Sequence, residues 1–229
     1  MVTTPVLLAW SGGKDSTLAL ERLLGDERYR VVGLITTVTA TYERIAIHGV
    51  RRSILHRQAE VLRLPLIEAG IPPQASNDIY ESAFAGALAR AREVTTRTVD
   101  RIAFGDLFLE DVRHYREAML ANLHWYGVYP IWGEETAALA RHFVERGHRA
   151  ILSCVDTRQL SAEFCGRDFD HEFLADLPTS CDPCGENGEF HTCVHDSPLF
   201  AAPIPLERGE RVLRDERFQY VDLLEADRR

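Results

Sequence analysis

The stretch Ser11-Gly12-Gly13-Lys14-Asp15-Ser16 constrains this chain more than any other. An apolar run, Pro5-Val6-Leu7-Leu8-Ala9-Trp10, precedes it, and a run with helical spacing, Thr17 to Leu24, follows. A glycine-rich turn from strand to helix is where a backbone best holds a phosphate. Glycines let the main chain approach an anion and take φ values that other residues resist. The first N–H groups of the helix lack intrahelical partners and point at bound oxygens. Lys14 adds a positive charge, and Ser11 and Ser16 add hydroxyl donors. Asp15 beside phosphates makes sense as a cation holder or a helix cap, which points to Mg²⁺.

The turn is not the common phosphate loop. That motif needs a glycine five residues before its Gly-Lys pair, and Ser or Thr directly after the lysine. Here those positions hold Leu8 and Asp15. The dinucleotide fingerprint Gly-x-Gly-x-x-Gly is absent as well. The run instead resembles the Ser-Gly-Gly-x-Asp-Ser pyrophosphate loop of the N-type ATP pyrophosphatases. That resemblance implies cleavage of ATP between its α and β phosphates, with a substrate oxygen activated as an adenylate and a nitrogen or sulfur nucleophile displacing AMP.

The chain's 229 residues can bury a full core, as one large domain or a domain with a smaller appendage. No apolar run approaches the roughly 20 residues that cross a bilayer. The N-terminus lacks the pattern of a secretory signal. Five cysteines, an odd number, in a protein too large to need disulfide staples fit a reducing cytoplasm. The net charge of −9 argues against nonspecific nucleic-acid binding.

The order of elements is β-α-β-α. Residues 31–38, 66–70, 101–105 and 128–131 read as strands. Residues 49–64, 77–95 and 110–126 read as helices. The expected fold is α/β, a doubly wound parallel sheet. Ligands then bind beyond the carboxyl ends of the strands, in loops that begin near Ser11, Thr37, Gly105 and Pro130. After Trp132 come a further helix (136–146) and strand (149–155), an irregular stretch rich in Gly, Pro, Asp and Cys (176–198), and a tail with hairpin character (202–224). The expected division is an ATP-binding domain over 1–132 and a smaller C-terminal α+β domain over 133–229.

Three further clusters carry chemistry. Gly105 and Asp106 end a predicted strand, where glycine admits a ligand and the aspartate can accept from a base, a ribose or a metal-bound water. His48, before Gly49 at a predicted helix start, is a candidate nucleotide contact, as is Thr37; Arg51 and Arg52 can meet phosphates or an acidic substrate. The run Cys181-Asp182-Pro183-Cys184-Gly185-Glu186-Asn187-Gly188-Glu189-Phe190-His191-Thr192 presents carboxylates in a tight turn, suited to a cationic group or ammonium.

Taken together, the sequence resembles the diphthine–ammonia ligases and their bacterial relatives. The resemblance rests on Ser11–Ser16, on His48-Gly49-Val50 with Gln58-Ala59-Glu60 and Leu64-Pro65-Leu66, and on Phe104-Gly105-Asp106 with Tyr115-Arg116. It also rests on Pro130-Ile131-Trp132 and on Gly185 to Thr192. It implies a Rossmann-like adenine nucleotide alpha hydrolase domain with a smaller C-terminal domain, a substrate cleft between them, ATP and Mg²⁺ as cofactors, and ammonia as nitrogen donor. In that family the acceptor is the diphthine side chain of elongation factor 2. The branch resembled is the bacterial one, so the chemistry is expected to carry over and the acceptor need not. In the expected mechanism a substrate carboxylate attacks the α-phosphorus. The residues Ser11, Gly12, Gly13, Lys14, Asp15 and Ser16 hold the leaving pyrophosphate, and Asp15 contacts the metal. Glu186 or Glu189 binds ammonium or takes its proton. Val2 follows Met1, so no N-terminal cysteine nucleophile is expected and free ammonia is the expected source. The rival is a tRNA-thiolating sulfur transferase that uses Cys181 and Cys184, with His191, Cys193 and His195 as further metal-type residues. A third alternative is an ATP-binding protein without turnover.

Overall fold

Strand β1 (Thr4–Ala9) feeds through the glycine turn into helix α1 (Lys14–Leu24), and β2 (Tyr29–Thr39) returns beside β1. A computed structural model of the protein describes residues 3–39, 44–45, 49–95 and 98–226. Next come β3 (Arg44–Ile45), α2 (Arg52–Leu62), β4 (Leu66–Ile71), α3 (Asn77–Val94), β5 (Arg101–Ala103), α4 (Glu110–Asn122) and β6 (Tyr126–Val128). The C-terminal part holds α5 (Thr136–Glu145), β7 (Arg149–Asp156), a 3-10 turn (Ala162–Phe164) and α6 (His171–Asp176). It ends with β8 (Phe190–Asp196), β9 (Leu206–Arg214) and β10 (Phe218–Glu225).

The chain forms two compact units. One holds Met1–Ser11, Asp15–Ala46 and Arg63–Gly133; the other holds Gly12–Lys14, Ile47–Leu62 and Glu134–Arg229. Residues 12–14 and 47–62 thus group with the C-terminal part, although the sequence places them inside the ATP-binding domain.

The first unit is a doubly wound α/β sheet. Its parallel strands run β4-β2-β1-β5-β6, and the two-residue β3 pairs antiparallel with the end of β2. Leu7, Ile35, Ile67, Ala69 and Ile102 share one core with Phe84, Leu88 and Ala91 of α3 and Met119 and Leu120 of α4. Their strand neighbours Val6, Leu8 and Leu34 are also fully buried. Since side chains alternate across a strand, both faces of the sheet are covered, as a parallel sheet requires. The chain leaves β1 toward β2 on one side, and β5 lies on the other side of β1. The carboxyl ends of β1 and β5 are therefore the topological switch point, where such sheets bind ligands.

The second unit carries an antiparallel sheet in the order β8-β7-β10-β9. Rings of Phe169, Phe173 and Phe190 pack together, with Phe169–Phe173 centroids 5.2 Å and Phe173–Phe190 centroids 5.3 Å apart. The hairpin read in the tail is formed by β9 and β10. The stretch expected to be irregular, 176–198, contains strand β8, and only its first half is a loop. The alternation Phe190, Thr192, Val194 on that strand is diluted by His191 and Cys193, which hid it beside the Gly-rich turn. Among the described residues no helix is long and apolar enough to cross a membrane.

Candidate functional site

In the first unit, Ser11 follows β1, and Asp15 and Ser16 form the first turn of α1. The hydroxyls of Ser11 and Ser16 lie 3.3 Å apart, so they share one polar spot at the switch point. Asp15 is half-buried, and its charge reaches Asp106 at the end of β5. Gly105 also packs closely on protein. A Cβ there would sit 2.8 Å from the carbonyl carbon and oxygen of Asp15, so this glycine admits the backbone of α1's first turn. Thr37 is half-buried near the carboxyl end of β2, opposite Ala69. His48 lies outside the described residues.

Asp106 is held by Arg116 of α4, whose Nε and Nη2 approach its two oxygens at 2.9 and 3.3 Å. The guanidinium also lies 4.3 Å from the Phe104 ring centroid, which fixes it in a fork-and-stack arrangement. Burial pushes the Asp106 carboxyl up from its ordinary value; Arg116 opposes this and Asp15 adds to it. No group of three or more His, Cys, Asp or Glu that could hold a metal ion occurs among the described residues. Asp15 still fits a magnesium ion that arrives on a nucleotide, because Mg²⁺ is commonly bound by one or two carboxylates plus phosphate oxygens.

In the second unit, Gly12 to Lys14 lie against β8 and α2. The Gly12 carbonyl accepts from Val194 N–H at 2.8 Å and from the Gln58 side-chain amide at 3.0 Å. Gln58 Nε2 also donates to the Val194 carbonyl at 2.7 Å. Gly12 has φ +77°, and a Cβ there would meet Gln58 Oε1 at 2.6 Å and Leu55 Cδ2 at 2.9 Å. This position needs glycine for both conformation and space. The Lys14 N–H donates to Thr192 Oγ1 at 3.1 Å, and its ammonium lies 5.6 Å from the Phe190 ring centroid. Lys14 is only 2% exposed, in surroundings where a phosphate charge would be felt strongly. Burial and the Lys14 charge push His191 down to about 4, so its imidazole is neutral at pH 7.

Neither Gln58 nor Thr192 stands out in the sequence as a contact of the loop. Their contacts with the loop carry one faint signal: Gln58 shares the buried face of α2 with Ile54, Leu55, Ala59 and Val61, where an unpartnered amide would be costly. Arg51, a candidate phosphate ligand, forms a two-point ion pair with Asp222 at 2.9 and 2.5 Å.

The two glutamates of the acidic turn differ in setting. Glu189 is 1% exposed. Its carboxylate accepts from Asp182 N–H at 2.8 Å, Asn187 N–H at 3.0 Å and the Asn187 side chain at 3.1 Å. Glu186 is half-buried, and its N–H donates to Asp182 Oδ1 at 3.3 Å. The cysteines of the same stretch donate to carbonyls, Cys181 to Gln159 at 3.4 Å and Cys184 to Thr136 at 3.3 Å. Burial pushes the Cys181 thiol up, and pushes Cys193 to about 12. Cys181, Cys184, His191, Cys193 and His195 do not gather into a metal-binding group.

Pro130 and Trp132 line a half-open cavity of about 570 Å³ in the first unit, with Tyr129, Arg113, Arg22 and Arg28. Its arginines have carboxylate partners: Glu117 for Arg113, Glu21 for Arg22 and Asp26 for Arg28. The cavity contains none of the candidate nucleotide contacts.

No curated protein matches the sequence. Among solved structures, the U34-tRNA thiolase NcsA from Methanococcus maripaludis with its 4Fe-4S cluster aligns over 60% of this chain, at 16% identity and a TM-score of 0.34. The alignment spans 55% of the thiolase chain. Residues 4–123 match the diphthamide synthase N-terminal domain, and residues 135–224 match the diphthamide synthase C-terminal domain. With both domain models matched in order along the chain, and the Ser11–Ser16 turn inside the first, this chain belongs to the diphthamide synthase family, within the pyrophosphate-loop superfamily.

Proposed function

We propose that the protein is an AMP-forming ligase that activates a substrate carboxylate with ATP and transfers ammonia to it. The observation that carries this reading is the placement of Ser11, Asp15 and Ser16 at the switch point of a doubly wound sheet, within a loop that also supplies the buried Lys14. The loop binds the β and γ phosphates, which leave as pyrophosphate when the carboxylate oxygen bonds to the α-phosphorus. Ser11 and Ser16 donate hydroxyl hydrogen bonds, and Lys14 offsets the charge that grows on the leaving group. Asp15 would hold Mg²⁺, which when bound supplies further neutralisation of that charge. Thr37, Gly105 and Asp106 belong to the nucleotide side of the site, with Asp106 kept in place by Arg116.

Ammonia then bonds to the activated carbonyl carbon, AMP leaves with the C–O bonding pair, and the nitrogen loses a proton. Glu186 is the group we assign to ammonium capture and to that proton. The diphthine side chain of elongation factor 2, the acceptor named by the family resemblance, is the first acceptor to try.

The test is the identity of the nucleotide product. Purified protein with Mg-ATP, ammonium and diphthine-bearing elongation factor 2 should form AMP, pyrophosphate and an amide in equal amounts. Lys14→Ala or Asp15→Ala should lower AMP formation by roughly a hundredfold or more, as expected for the loss of a charge aimed at the transition state. Formation of ADP and phosphate instead would end the pyrophosphatase reading. AMP formation without amide on this acceptor would keep the activation step and remove the acceptor.

A further inference from the structure

We infer that Gln58 and Thr192 are positioning residues that set which amides of the loop face the nucleotide, and that Glu189 anchors the strand through which they act. The inference deepens the ligase reading and rests on the Ser11–Ser16 loop being the phosphate site.

Gln58 is fully buried, and its Nε2 faces two carbonyl oxygens, those of Gly12 and Val194. Turning the amide over would set its oxygen against both carbonyls, so the side-chain orientation is fixed by its partners. The Gly12 carbonyl is thereby drawn toward α2 and β8. A trans peptide is planar, with C=O and the following N–H on opposite sides. Pulling the Gly12 oxygen inward turns the Gly13 N–H outward, away from Gln58 and β8. At the next peptide the direction reverses, because Thr192 Oγ1 takes the Lys14 N–H. Two contacts, one on an oxygen and one on an N–H, therefore fix the rotation of successive peptides of the loop.

Both contacts depend on where β8 begins. Glu189 closes residues 182–189 on themselves through its accepted N–H bonds, and its own carbonyl accepts from Asp156 N–H at 2.9 Å. Phe190 follows directly, below the Lys14 ammonium, and Thr192 and Val194 come next on the same face of the strand. Glu189 thus acts on the loop through β8, and a carboxylate already filled with three N–H donors is poorly suited to collect a proton from substrate.

A pair of substitutions at Thr192 and one at Glu189 test this in the full-length protein. Thr192→Val keeps shape and removes the acceptor; Thr192→Ser keeps the acceptor. Calorimetric titration with Mg-ATP should show about a 5- to 10-fold weaker Kd for Thr192→Val, the size of one lost hydrogen bond, and a Kd within about twofold of wild type for Thr192→Ser. Equal affinities for the two variants would overturn the positioning role. Glu189→Gln retains an acceptor oxygen and should lower kcat by about fivefold, with the acid limb of the pH–rate profile in place. A loss of a hundredfold or more, with that limb gone, would make Glu189 the general base and overturn its assignment as an anchor. If wild-type protein forms no AMP, the ligase reading fails, yet the Mg-ATP titrations still decide the role of Thr192.

Discussion

The two glycine-containing turns of this protein are built on opposite plans. The Gly12–Lys14 segment is held from outside: α2 supplies Gln58, and β8 supplies Val194 and Thr192. The 182–189 turn is held from inside, by Asp182 and Glu189 accepting the N–H groups of their own neighbours. The first loop is thus braced by elements far from it in sequence. In the second turn the Asp182 and Glu189 carboxylates are occupied by the turn's own amides. Acidic residues in a glycine-rich motif are therefore not interchangeable candidates for chemistry, and only Glu186 of the pair stays in the proposed reaction.

Adding a methyl group to each turn gives the sharpest test of this contrast. Gly12→Ala should cost about 2–4 kcal/mol in urea denaturation, because overpacking adds to the strain of a positive φ. Gly188 has φ +82° but nothing within 4 Å of a Cβ, so Gly188→Ala should cost only about 1 kcal/mol. Equal losses at the two sites would break the distinction between external and internal bracing.

Between these in size comes Asp156, an outside support of the second turn. Arg217 grips its carboxylate at 3.0 and 2.6 Å, and Gln159 links it to the Asn187 carbonyl. Chiefly through Arg217, its carboxyl is held down at about 2 against an ordinary 3.8. A depressed folded value stabilises the protein above the unfolded value, and this is lost as pH falls from about 4 toward 2. The loss is about 2 kcal/mol. Asp156→Asn should remove most of that acid dependence, measured as the change in unfolding free energy between about pH 6 and pH 2. An unchanged slope would dismiss the brace. The smallest effect is expected from Cys181→Ser and Cys184→Ser, which should leave AMP formation within about twofold; a large loss from either would revive a sulfur-carrying turn.

The parallel sheet was readable because its strands are short apolar runs separated by helical periodicity, and the Ser11–Ser16 turn marks its switch point directly. β8 was harder to read. Phe190, Thr192, Cys193 and Val194 are all buried, so the strand shows no clean alternation, and a threonine whose hydroxyl accepts from Lys14 looks like any surface threonine in a sequence. Gln58 was hidden for the same reason: its partners are main-chain atoms 46 and 136 positions away, and main-chain acceptors leave no trace in residue types. Gly105 showed the limit from the other side. The need for glycine was legible, but not its close approach to the backbone of Asp15.

All five cysteines are buried, and none is in a disulfide. For Cys154, Cys165 and Cys193, burial raises the thiol to about 12. Thiolates carry the reactivity of cysteine, so alkylating reagents have little to attack in the folded protein. Labelling rates then become a clock for local opening. Cys193 lies in β8 between Thr192 and Val194, so its time to modification reports when the strand behind the loop lets go, in the presence or absence of nucleotide.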